Sequence, residues 1–135
     1  MNYSSIQNNP IRSENKILNY CNLKFIDLIS KTMFIHLAKS HNPKKKYMVI
    51  VNGKIIHFGD SRYEDFTIHK DEKMKARYIK RHKNEDWTIS GIDKPAFFSR
   101  WLLWNMSSIE DSIEDIKNRF GIDVLFTKND WRNLK

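Results

Sequence analysis

An α+β fold is expected: a small antiparallel sheet built on one β-hairpin, helices packed on it, and an N-terminal amphipathic helix. Three observations predict it. Asn52-Gly53 lies between two runs rich in β-branched residues, Tyr47 to Val51 and Lys54 to Phe58, and Asn-Gly is the pair that a type I′ hairpin turn selects. Ile109, Ile113, Ile116 and Phe120 recur at helical spacing and stop at Gly121, a residue suited to ending a helix. Asp71-Glu72 precedes a run that closes with Lys80, Arg81, His82 and Lys83. That order places acids at the positive end of a helix dipole and bases at its negative end.

Taken in order, residues 1 to 13 read as a loose lead-in. From Glu14 to about Lys39, Ile17, Leu18, Cys21, Phe25, Leu28, Ile29 and Ile35 step mostly by three or four. This predicts an amphipathic helix, with a break near Ser30 to Thr32. Pro43 ends it, because the residue before a proline is pushed away from helical geometry. Three lysines lead into the hairpin, Gly59-Asp60-Ser61 closes its second strand, and Tyr63 to Ile68 is a third strand or an ordered loop.

After the Asp71 helix, Trp87 to Lys94 is expected as a loop. Pro95 suits the first position of a helix, with Asp93 as its cap. Phe97, Phe98, Trp101, Leu102 and Trp104 then fall all round a short helix, which should be buried. Ser107 and Glu110 have capping-box spacing ahead of the final helix. Ile122 to Phe126 reads as a last strand and Asn129 to Lys135 as a tail. The domain reading is a helical extension over 1–43, a core over 44–121, and a short strand and tail over 122–135.

With 135 residues, 40% of them hydrophobic, and four Trp, there is material for one packed core. The formal charge of +8 points to a polyanionic partner, with nucleic acid ahead of an acidic protein or membrane surface. The charge is concentrated. Lys39 to Lys54 holds five cations and no anion, and Thr67 to Lys83 holds seven against Asp71 and Glu72. The candidate nucleic-acid contacts are Lys44, Lys45, Lys46, Lys70, Lys73, Arg77, Lys80, Arg81 and Lys83, with DNA preferred to RNA. Such lysines equally suit a plain solvated face.

One cysteine, Cys21, excludes an intrachain disulfide and a Cys-rich zinc site, and suits a reducing compartment. Met1 to Asn9 lacks a basic-then-apolar pattern, so no secretory leader is expected. Lys24, Asp27 and Lys31 interrupt the most apolar N-terminal run well short of the roughly 20 residues a membrane span needs.

Catalysis would draw on His57, His69, His82, Asp60, Asp71 and Glu85. His69-Lys70-Asp71 is contiguous, whereas the phospholipase D signature spaces those residues apart. His82 and Glu85 are three apart, but no second pair completes a metal site. There is no phosphate-binding glycine loop and no nucleophile elbow. No catalytic residue, metal or cofactor is assigned. His69, Asp71, Trp87, Arg100, Trp101 and Trp104 are taken together as a structural cluster, with Arg100 stacked on tryptophan and Glu85-Asp86 pairing with Arg81 or Arg100.

Several blocks form an ordered set: Asn52-Gly53-Lys54, Phe58-Gly59, Thr67-Ile68-His69-Lys70-Asp71, Arg77-Tyr78 with Arg81-His82, Asn84-Glu85-Asp86-Trp87, and Phe98-Ser99-Arg100-Trp101-Leu102-Leu103-Trp104-Asn105. Over about residues 44–121 the chain resembles a family of short uncharacterised basic proteins of nucleocytoplasmic large DNA viruses, including giant and algal viruses, and of related phage-like genomes. Lys94-Pro95-Ala96 departs from the Ala-Gly that often precedes the aromatic run in that family. The resemblance implies a viral source, a host cytoplasm, virus-factory or virion setting, and no catalytic residues. Two roles follow as expectations. One is a non-catalytic accessory protein, packaged in the virion, that binds nucleic acid without sequence preference. The alternative is a structural or adaptor protein of the virion or factory that docks other proteins, with a nuclease-like enzyme behind both.

Overall fold

The computed structural model describes residues 33–128, and the chain divides into compact units at Met33–Phe34. The described part is α+β, as expected. Strands β1 (Met33–Lys39), β2 (Lys45–Val51) and β3 (Lys54–Asp60) form an antiparallel meander. Helices α1 (Phe66–His69) and α2 (Glu72–Arg81) follow. A single 3-10 turn (Ile89–Gly91) leads to α3 (Pro95–Phe98), which runs on into a π-helical turn, Ser99–Leu103. Helix α4 (Ile109–Phe120) and strand β4 (Ile122–Thr127) complete the order.

The hairpin forms where its sequence placed it. Asn52 and Gly53 both have positive φ, at 50° and 78°, and Val51 pairs with Lys54 across them. That is the turn whose twist matches the strands it joins. The sheet order is β3-β2-β1-β4. Residues 34–36 share a cavity with 123–125, whereas Lys39 and Ser40 share another with Phe126 and Lys128. Strand β4 therefore runs alongside β1 in the same direction, which makes the sheet mixed.

Two expectations are corrected. Residues 33–39 are a strand and not the end of a helix: Ile35 and Leu37 are buried while Phe34 and His36 point to the other side. That is the period of two that a sheet imposes. The core domain therefore begins before Lys44, and Ile122–Thr127 belongs to its sheet. The expected helix over 14–32 and the tail over 129–135 lie outside the described residues. Of the two readings left open for Tyr63 to Ile68, Tyr63 to Asp65 is ordered loop, and Phe66 to Ile68 already belong to α1.

The core lies between the sheet and α3, its π turn and α4. Leu37, Val49 and Ile56 form one cross-strand row and are all buried. Phe58 meets Phe98 at 5.7 Å, and Phe97 meets Phe120 at 5.2 Å. Phe97, Phe98, Trp101, Leu102 and Leu103 are all buried, so the short aromatic helix is enclosed as expected. Burial of side chains this large stabilises by about 1.5–3 kcal/mol each. Trp104 is different: it is half-buried and packs on α2, with its ring parallel to Tyr78 at 4.5 Å.

Candidate functional site

Three of the four helices start at a side-chain cap, and the cap of α1 also lines the site. Asp65, 2% exposed, accepts the Thr67 N–H at 2.9 Å and starts α1; it also takes Lys46 Nζ at 2.6 Å. Asp71 accepts the N–H groups of Lys73 and Met74 and starts α2. Those two bonds hold its carboxyl below the usual range. Lys94, not Asp93, occupies the cap of α3, without a side-chain bond. The cap of α4 is Ser108, which accepts Asp111 N–H, one residue later than the Ser107–Glu110 spacing suggests.

Between these elements lies an open cleft of about 470 Å³, within the size range of ligand sites. Lys45, Lys46, Phe58, Gly59 and Asp60 come from the hairpin, and Tyr63, Glu64 and Asp65 from the loop after it. Tyr78, Arg81, His82 and Glu85 come from α2 and its exit; Pro95, Ala96, Ser99, Leu103 and Trp104 come from α3 and the π turn. Trp104 N–H bonds Ser99 C=O at 3.0 Å, the widened turn that brings both side chains to the cleft wall. His82 Nδ1 pairs with Glu85, and the His82 ring stacks on Tyr78 at 4.3 Å. Burial, and secondarily the Glu85 charge, raises the Tyr78 hydroxyl well above its ordinary value, so it stays protonated.

Three of the lining carboxylates have partners. Asp60 is held by Arg62 through Nη2 at 2.8 Å and Nε at 3.1 Å, which keeps it ionised far into acid. Asp65 holds Lys46, and Glu85 holds His82. Glu85 and Asp86 thus pair with neither Arg81 nor Arg100; Asp86 instead accepts from Thr88 and Ser90.

The six residues of the expected structural cluster do come together. Arg100 lies 4.4 Å over Trp101 and 5.3 Å from Trp87, and donates to Trp104 C=O at 2.8 Å. Trp101 Nε1 donates to Trp87 C=O at 2.8 Å. His69 sits 5.3 Å from Trp104, and its Nδ1 accepts the Asp71 N–H. His69 Nε2, Trp87 Nε1 and Arg100 Nε are buried without a hydrogen-bond partner among the described residues. Stacking on two indoles offsets part of that cost for Arg100.

The expected basic residues divide into two groups. Lys46 is 14% exposed and committed to Asp65. Lys70 donates to Thr67 C=O at 3.0 Å and Ser107 C=O at 2.6 Å, which ties α1 to the start of α4. Lys75, not singled out from sequence, lies 4.7 Å over Phe66 and bonds Asn105 C=O. Lys44, Lys45, Lys73, Arg77, Lys80, Arg81 and Lys83 are exposed, and none forms an ion pair with a described residue. Tyr78 is the one buried residue of α2.

Of the expected acid–base groups, Asp60, His82 and Glu85 line the cleft, whereas His57 does not and bonds Ser40 at 2.7 Å. Among the described residues no group of three or more His, Cys, Asp and Glu is placed to hold a metal ion, and no helix is long and apolar enough to cross a membrane. Sequence reasoning passed over Tyr63, Tyr78 and Ser99 as site residues and offered Asp65 only as a helix cap, which it is; the fold brings all four to one cleft. An exposed loop tyrosine flanked by Arg62 was the available signal for the first.

Residues 35–82 match a family of unknown function (DUF5754). The matched stretch runs from β1 through α2 and ends at His82. It carries the hairpin, loop and α2 sides of the cleft up to that residue, and stops short of the Pro95–Trp104 wall. No curated protein and no solved structure matches the chain.

Proposed function

We propose that this chain is a small accessory protein that binds nucleic acid through the phosphate backbone, without sequence preference and with DNA preferred to RNA. The observation that carries the reading is α2. The helix and its exit present Lys73, Arg77, Lys80, Arg81 and Lys83 to solvent with no ion pair among the described residues, while burying only Tyr78. A helix with so little packing and so many exposed cations outside the described ion pairs suits a polyphosphate partner. Lys45 and Arg81 line one cleft, which joins the basic strand start to the basic helix as one face. The viral setting implied by the sequence resemblance, with packaging in the virion, belongs to the same proposal.

The test is a fluorescence titration of labelled duplex DNA and RNA at several salt concentrations. Binding should weaken by about 0.9 log units per log of salt for each phosphate neutralised on duplex DNA. Lys73→Ala, Lys80→Ala and Arg81→Ala combined should flatten the slope by up to about 2.7. The melting curve should stay in place, because all three side chains are exposed.

The second reading rests on the far side of the sheet. Phe34, Ile55 and Leu125 are 62%, 44% and 66% exposed, and Phe34 and Leu125 border a cavity of about 740 Å³ with Ile35, Ile50 and Val124. Exposed apolar surface of this kind suits docking to another protein. Absence of binding at low salt, or equal slopes for parent and triple variant, would give that reading precedence.

A further inference from the structure

Five aromatic rings from three segments form a continuous column. Phe66, His69, Trp104, Tyr78 and His82 follow one another at centroid separations of 6.3, 5.3, 4.5 and 4.3 Å. The last three also line the cleft. At the cleft's loop side stands another ring, Tyr63, which is 64% exposed and has the Arg62 guanidinium 5.4 Å from its centroid. Nothing in the core needs an exposed tyrosine there. Loop aromatics beside positive charge are the usual platform on which unpaired bases stack.

The charges around the cleft favour the same ligand. Among the described residues Lys45 and Arg81 form no ion pair, while Asp60, Asp65 and Glu85 are each held by a basic partner, leaving Glu64 as the one lining carboxylate without an ion pair to a described residue. A flat conjugated group with phosphates on either side would use both the rings and the cations. A base inside a duplex has its faces covered by its neighbours and cannot enter.

We infer that this cleft takes an unpaired nucleotide of a single strand, its base stacked on Tyr63 and its flanking phosphates held by Lys45 and Arg81. The inference rests on the nucleic-acid reading above and assigns it a strand preference. The helix α2 face then tracks the backbone, and the cleft selects the single-stranded form.

The full chain is titrated by fluorescence anisotropy against labelled oligothymidylate and against a labelled duplex of equal length, at one fixed salt concentration. The parent should bind the single strand more tightly. Tyr63→Ala should weaken single-strand binding by about 5- to 140-fold, the range that loss of one stacked base gives. Its duplex affinity should not change. Tyr63→Phe keeps the ring and should keep the affinity. Equal affinity of the parent for both forms would overturn the cleft assignment, with no variant needed. So would a Tyr63→Ala effect that is absent or the same for both forms, and either result would leave backbone binding by α2 standing. No binding to either form would remove both proposals together.

Discussion

At the scale of single residues, Asp65 bears most on the fold around the cleft. It caps α1, binds Lys46 across 19 positions of sequence, and is almost wholly enclosed. A carboxylate so placed is tolerated because both of its oxygens have donors, Thr67 on one and Lys46 on the other; without it, the Lys46 ammonium would be left enclosed and uncompensated. Asp65→Ala should therefore destabilise the chain by about 3–5 kcal/mol in urea unfolding. Asp65→Leu combined with Lys46→Met should cost distinctly less, since it removes both charges together. A single-variant loss under about 1 kcal/mol would mean that the pair behaves like a surface bridge. Composition could not have revealed this. Lys46 reads in sequence as the third of three solvated lysines, and only the strand alternation of Lys45 and Lys46 separates the exposed cation from the committed one. Asp71, by contrast, was legible as a cap because its whole role is local.

At the scale of elements, legibility follows how local each determinant is. The Asn52-Gly53 turn, the start and stop of α2, and the Gly121 stop of α4 depend on a few adjacent residues, and all formed as read. Strand β1 was misread because Ile29 and Ile35 extend a helical stripe, so the alternation of Phe34, Ile35, His36 and Leu37 was hidden inside it. The cap of α4 slipped by one residue because Ser108, not Ser107, adopts the extended backbone from which its hydroxyl meets Asp111 N–H. Ser107 instead gives its carbonyl to Lys70. The cleft was the least legible feature, since four separate segments build it.

Two hairpin glycines give a test at this scale. Gly53 and Gly59 both have positive φ, but a Cβ on Gly53 would meet nothing within 4 Å, whereas one on Gly59 would lie 2.8 Å from Leu103 Cδ1 and 3.2 Å from Lys46 Cβ. Gly53→Ala should then carry only the left-handed backbone cost, about 1 kcal/mol. Gly59→Ala adds overpacking, for about 2–4 kcal/mol in all. Equal melting temperatures for the two variants would show that Leu103 moves aside freely.

At the scale of the whole molecule, the position of β1 decides where the domain can be cut. A reading that starts the core at Lys44 makes the hairpin the founding element and everything before it optional. The sheet order says otherwise, because β1 lies between β2 and β4. Without it, β2 loses the partner that pairs Leu37 with Val49 and Ala38 with Met48, and β4 loses its neighbour in the sheet. Ile35, Leu37 and Ala38 are each no more than 3% exposed, so their removal opens the core to water and leaves two buried strand edges unpaired. A chain beginning at Lys44 should therefore lack cooperative unfolding, and its backbone amides should exchange rapidly. A chain beginning at Thr32 keeps β1 and should retain a sharp thermal transition. The comparison is made by circular dichroism melts and hydrogen exchange on both truncations. A cooperative melt from the Lys44 chain would mean that the hairpin and helices form a core without β1. The resemblance over 44–121 would then mark the domain boundary better than the sheet does.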